Sequence, residues 1–254
     1  MQNIFDSHAH YDDERFQEDL EAVISHIQQN GVTNVINVGC DIPSSLDSIK
    51  LAKKYPFFYA SVGIHPHEAE NVPDDYLATI ENLLKEEKVV ALGEIGLDYH
   101  YDLSPRDVQQ KVFEEQLQLS QTIDIPVIIH SREAVQDTMD LLHKYKPKGV
   151  VHCFTGSAEI AKETIKLGMY IGFTGVVTFP NARKTLEVID ITPLDRILLE
   201  TDCPYMAPVP YRGKRTTSDM IEKTAETVAR VKGVSTQEII DIARKNTIKL
   251  FLGK

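Results

Sequence analysis

The chain reads as a closed (β/α)8 barrel, and three observations carry that reading. Its 254 residues suit one such barrel. Short apolar, often β-branched runs alternate with amphipathic helical stretches along the whole length. No Gly/Ser-rich or charge-run linker separates them, so a single domain over residues 1–254 is expected rather than two open sheets.

The opening run, Ile4 to His8, is followed closely by His10; extended, it sends His8 and His10 to the same side at a period of two. Arg15 to Asn30 reads as a helix because Phe16, Leu20, Val23, Ile24 and Ile27 recur at helical spacing, with Gly31 as its stop. Asn34 to Val38 is the second strand, ended by Gly39, and Pro43 opens a helix to about Lys54. Phe57 to Val62 is a strand, Pro73 to Glu86 a helix, Lys88 to Gly93 a strand and Pro105 to Thr122 a long helix. Strands at Pro126–His130, Gly149–His152, Met169–Phe173 and Arg196–Glu200 follow, separated by helices near Arg132–Tyr145, Ala158–Leu167 and Asn181–Ile189. Ser218–Val231 and Ser235–Phe251 close the chain as helices, the last with the capping pattern Ser235-Thr-Gln-Glu238.

In a closed barrel the carboxyl ends of all strands share one rim. Six ligand-type side chains fall there: His8, His10, Glu94, His130, His152 and Asp202. Singly, either later histidine reads equally well as a hydrogen-bonded core residue, and Glu94 or Asp202 as a helix cap or a partner for Arg132. Together they are hard to explain as core polarity, since each buried group without a partner costs about 1 to 3 kcal/mol. Four imidazoles and two carboxylates exceed what one tetrahedral ion takes and suit two ions sharing a carboxylate. Glu94 is the expected bridge between one ion on His8, His10 and Asp202 and another on His130 and His152. The donor types allow Mg²⁺, Mn²⁺ or Zn²⁺.

Composition narrows the class. There is no long apolar run for a membrane span and no secretory leader pattern, so a soluble, cytoplasmic protein is expected. Cys40, Cys153 and Cys203 are far apart and read as reduced thiols rather than a disulfide framework or zinc knuckle. A net charge of −11 argues against a broad basic footprint on duplex DNA, yet a metal pair would dominate the field inside a cleft. A monomer is expected over an obligate oligomer.

The segments Asp6-Ser7-His8-Ala9-His10, Gly63-Ile64-His65-Pro66-His67, Gly93 to Tyr99, Ile129-His130-Ser131-Arg132, His152 to Gly156 and Glu200-Thr201-Asp202-Cys203-Pro204 resemble the TatD family of metal-dependent hydrolases, in order and along the whole chain. The resemblance implies a barrel with two divalent ions and a deoxyribonuclease acting on DNA, chiefly single strands or 3′ ends, with the six residues above as metal ligands. It places His65 near substrate, or behind a ligand that it orients. The chain departs from the family after Arg212-Gly213-Lys214-Arg215, where Thr216-Thr217-Ser218 stands in place of the common Asn and Glu-Pro.

Two ions about 3.5 to 4 Å apart acidify a water and stabilise both attacking and leaving oxygens in an in-line displacement at phosphorus. Asp202 could then orient that water and take its proton. Arg132, Arg212, Lys214 and Arg215 are candidate phosphate contacts, the last three reading equally as a solvated basic loop. Tyr99, Phe154 and Tyr205 are candidate stacking surfaces for bases, or rim packing. Two rivals use the same residues. A binuclear amidohydrolase or esterase would attack a carbonyl, as in a cyclic amide, lactone or aminoacyl ester, but that branch often bridges its ions with a modified lysine where Glu94 stands here. A non-catalytic metal-binding scaffold has no need of so complete a donor set.

Overall fold

The computed structural model describes residues 1–253. Eight parallel strands in chain order make one sheet: β1 (Ile4–Ala9), β2 (Val32–Val38), β3 (Phe58–Val62), β4 (Val89–Asp98), β5 (Val127–Arg132), β6 (Gly149–Val151), β7 (Tyr170–Phe173) and β8 (Ile197–Leu199). Helices follow them: α1 (Leu20–Gln29), α2 (Ile42–Lys54), α3 (Tyr76–Leu83), α4 (Arg106–Ile123), α5 (Val135–Tyr145), α6 (Ala158–Lys166), α7 (Arg183–Ile191), α8 (Ile221–Lys232) and α9 (Thr236–Phe251). The architecture is the (β/α)8 barrel the alternation predicts.

Two hydrophobic cores result from the strand period of two. Inside the barrel Phe5, Ile36, Ala91, Ile128, Val150, Tyr170 and Leu198 meet, and α9 brings Leu250 and Phe251 onto them. Between strands and helices lies the larger apolar layer, with Ile27, Ile80, Phe113, Leu142 and Val228 fully or nearly fully buried. Ser235 caps α9 by accepting the Glu238 N–H, as the capping pattern predicts.

The barrel closes at one narrow seam. β1 meets the end of β8 through a single parallel bridge, Ala9 to Cys203. Around it the Asp202 N–H donates to His8 O at 2.9 Å and the His10 N–H to Cys203 O at 2.8 Å. The seam is therefore made by the residues that carry the first three candidate ligands.

Several boundaries differ from the expected ones. The first long helix begins at Leu20, not Arg15, because Asp13 accepts the Arg15 N–H and starts a separate short turn over Glu14–Phe16. The helix after β5 starts at Val135 rather than Arg132, since pairing with β4 carries the strand through Asp98 and Arg132. β4 itself does not end at Gly93. It runs five residues further, past a register shift between Leu92 and Ile95, to Asp98. Gly96, at φ +147° with His130 O only 1.9 Å from where a Cβ would stand, permits that extension. Among the described residues no helix is long and apolar enough to cross a membrane.

Candidate metal centre

Glu94 stands at the middle of the rim with imidazoles around both of its oxygens. Oε1 is 2.9 Å from His130 Nδ1 and 2.9 Å from His152 Nε2. Oε2 is 3.4 Å from His8 Nε2. Asp202 Oδ1 completes the first side, 3.3 Å from His10 Nε2 and 3.7 Å from His8 Nε2. His8 Nε2 and His10 Nε2 face each other at 3.1 Å. The six candidates thus converge, with one carboxylate oxygen turned to each group.

Hydrogen bonds behind the rings assign which nitrogen faces inward. His10 Nδ1 donates to Val38 O at 3.0 Å, leaving Nε2 as a lone pair. His130 Nε2 donates to Asp98 Oδ2 at 3.0 Å, leaving Nδ1 toward Glu94. His65 is the opposite case: its Nδ1 accepts the His67 N–H at 3.2 Å, so its neutral ring carries the proton on Nε2, 3.9 Å from Glu94 Oε1. It is a donor aimed at the centre rather than a free lone pair. His152 has Glu200 Oε1 behind it, 3.4 Å from Nδ1.

The donor set fits metal ions. Lone pairs from His10 Nε2, Asp202 and Glu94 crowd the buried His8 Nε2, and acceptors facing acceptors repel unless a proton or a cation lies between them. His8–His10–Glu94 and His8–His152–Glu200 each bring their ligand atoms close enough to share an ion; His65–Glu94–His130 is equally close, but His65 turns an N–H to the centre. The electrostatics agree. Burial alone would raise Glu94, but His152, His8, His65 and His130 hold it well below the ordinary carboxylate range. Asp202 is likewise lowered against its burial by His10, His152 and His8. Burial would lower His152, yet Glu94 and Glu200 hold it well above its ordinary value.

Residues outside the six brace them. Asp98, 1% exposed, takes His130 and His67 on Oδ2, each at 3.0 Å. Its Oδ1 accepts the N–H groups of His100 and Tyr101 at 3.0 and 2.9 Å. Glu200 accepts the Cys153 N–H at 2.5 Å beside His152. Asp6 gathers His8 N–H, Thr201 N–H, Thr201 Oγ1 and Ser218 Oγ; burial pushes its carboxyl up to about 7 against those four bonds. Ser218, in the segment that departs from the family pattern, is thus a buried brace of the strand that carries His8. Sequence reading left Asp98 unassigned because it ended the strand at Gly93. Continued at period two, Glu94, Gly96 and Asp98 share one face, the signal that would have found it.

A cavity of about 440 Å³ opens above the centre. His10, His65, Glu94, His130, His152 and Asp202 form its floor, with Arg132 and Tyr205 on its walls. The other expected substrate contacts are elsewhere. Phe154 is buried in a separate apolar pocket with Val151, Met139 and Leu142. Tyr99 gives its hydroxyl to Asp137 at 2.6 Å and carries Arg106 over its ring. In the basic loop, Arg215 forms two hydrogen bonds to Asp19, 2.8 and 2.6 Å, Arg212 lies over Phe179 and Lys214 over Tyr211. None of these five lines the cavity. Asp98, His67 and Tyr101, which sequence reading did not single out as site residues, do.

Comparison with known proteins gives a consistent set. A family model described as "TatD related DNase" matches residues 5–252. An uncharacterized metal-dependent hydrolase of Bacillus subtilis, YabD, is 42% identical over 251 residues, 98% of each chain. A deoxyribonuclease Tat-D of Schizosaccharomyces pombe is 38% identical over 205 residues, covering 74% of this chain and 64% of its own. Among solved structures, the TatD homologue YjjV of Escherichia coli superposes with a TM-score of 0.93 at 33% identity, over 98% of each chain.

Proposed function

The chain belongs to the TatD-related DNase family of metal-dependent hydrolases, and from that premise we propose that it hydrolyses phosphodiester bonds of DNA at single-stranded or 3′ ends with two divalent ions. The observation that carries the reading is the placement of Glu94, whose two oxygens face His8 on one side and His130 and His152 on the other. A carboxylate with ligand-type groups on both sides is suited to being shared by a pair of ions. His8, His10 and Asp202 would hold the first ion and His130 and His152 the second, with Glu94 between them. When bound, the pair, whether Mg²⁺, Mn²⁺ or Zn²⁺, lowers the pKa of water and neutralises charge developing on phosphoryl oxygens.

The chain's own groups then position the reaction. Asp202, at the mouth of the centre and held as an anion, orients the attacking water through its second oxygen and receives its proton. His65, neutral because burial lowers it well below the ordinary imidazole range, donates from Nε2 to a phosphoryl oxygen. Asp98 keeps His130 in the tautomer that presents Nδ1. Arg132, on the cavity wall, supplies a forked cation for phosphate.

End-labelled single- and double-stranded DNA and RNA, incubated with the protein and each metal in turn, test the reading. Mononucleotide release from single-stranded DNA under Mg²⁺ or Mn²⁺ is expected. Turnover of an ester or amide panel with no nucleotide released from any strand would overturn it.

A further inference from the structure

The cavity is flanked by two tyrosines, each with an arginine stacked on it. On the β4–β5 side the Arg132 guanidinium lies 4.6 Å from the Tyr101 ring centroid. On the β8–β1 side Arg15 lies 4.1 Å from that of Tyr205. Both rings line the cavity, and they are 55% and 47% exposed. The pairs look alike and differ in charge. Arg15 is held by Asp13 through two bonds, Nε to Oδ1 and Nη2 to Oδ2, both 2.8 Å. Arg132 pairs with no carboxylate among the described residues, and it is the cavity's only arginine or lysine.

Resting on the phosphodiesterase reading above, we propose that Tyr101 and Arg132 form a subsite for the nucleotide next to the bond that is cut: Arg132 takes that nucleotide's own phosphate and Tyr101 its base. The Tyr205 flank takes a sugar or base and no second phosphate. An unpaired guanidinium in an acidic cavity is suited to phosphate, which it engages by a bidentate fork. Tyr101 has Arg132 against its ring and the His67 and His100 rings steeply inclined to it, at 86° and 80°, and stays more than half exposed, as a stacking platform needs. Its position is fixed by the centre itself. The carboxylate that accepts the Tyr101 N–H also holds His130, and His100 pairs with Glu133 at 2.8 Å to tie the loop to the end of β5. Further exposed apolar side chains stand in the segments that follow the strands at this end of the barrel, Leu46 in α2, Leu103 before α4, Val135 at the start of α5 and Val209 after β8, which suits a polymer laid across that end better than a small ester enclosed in it.

The asymmetry is testable with a thymidine dinucleotide bearing one extra terminal phosphate at either its 5′ or its 3′ end. Phosphorothioate-linked versions resist turnover, and their competition against a fluorescein-labelled single-stranded oligothymidylate is read by anisotropy. One of the two isomers should compete about ten-fold better than the unphosphorylated dinucleotide while the other gains nothing. That gain should vanish in Arg132→Gln and recover in part in Arg132→Lys. Tyr101→Ala should weaken all dinucleotides by about ten-fold, with metal content as the check that the centre is intact. Gain by both isomers or by neither, or a gain that survives Arg132→Gln, overturns the subsite. The expected binding pattern without cleavage of the natural dinucleotides removes the nuclease reading and leaves Tyr101 and Arg132 as a nucleotide-binding site only. Cleavage without the pattern does the reverse, and no binding of any strand overturns both.

Discussion

The β4–β5 and β8–β1 flanks of the cavity are built from the same parts and treat their charges differently. At β8–β1 the arginines are spent inside the protein, Arg15 on Asp13 and Arg215 on Asp19. At β4–β5 the carboxylate is spent instead: Asp98 is consumed by two imidazoles and two backbone N–H groups, and Arg132 is left free. One flank is therefore electrostatically closed and the other open to an anion. Net charge is blind to this distinction. A chain carrying −11 overall still offers phosphate an unpaired guanidinium beside the candidate metal centre.

The largest test of that contrast removes the carboxylate on which the open flank depends. Asp98→Asn keeps the shape but frees His130 to take the wrong tautomer; affinity for the second ion should fall about 10- to 100-fold in a metal titration, with the ion on His8 and His10 retained. Equal weakening of both ions would show that the flanks are not independent. Next, Arg132→Gln should raise KM for single-stranded DNA about ten-fold while Arg15→Gln changes it by less than about three-fold. An Arg15 effect as large as that of Arg132 would erase the contrast. The smaller effect concerns salt: the slope of log affinity against log salt should drop by about 0.7 in Arg132→Gln, one phosphate's share on a single strand, and stay level in Arg215→Gln.

Protons sharpen the same picture. Burial opposes the charge on His130 and His152, yet Asp98 and Glu94 raise the first and Glu94 and Glu200 the second. Each must lose its inward proton before its nitrogen can accept a metal ion. Metal affinity should accordingly rise with pH, with proton release on binding. Calorimetry in two buffers of different ionisation enthalpy reads that release, and a buffer-independent heat would contradict it.

The barrel was legible from periodicity, and so was the convergence of six donor-type side chains, because a strand that ends on a charged or imidazole residue marks the rim. What escaped was anything that depends on neighbours across the sheet. Gly93 reads as a strand end, but the chain continues through Gly96 to Asp98 because β5 supplies pairing partners as far as Arg132. Phe154 follows His152 closely and reads as a stacking surface, yet it turns out of the cavity into an apolar pocket. Arg212, Lys214 and Arg215 read equally as phosphate contacts or as a solvated basic loop, because a sequence does not show that Asp19 and Phe179 lie beside two of them.

The account stands most directly on Glu94 as the shared ligand of two ions. Metal analysis after equilibration with Mn²⁺ and removal of loosely held ions, on the natural protein and on Glu94→Ala, measures it. Two ions per chain are expected in the first and at most one in the second, whereas two tightly held ions in Glu94→Ala would contradict the bridge and the two-ion mechanism with it.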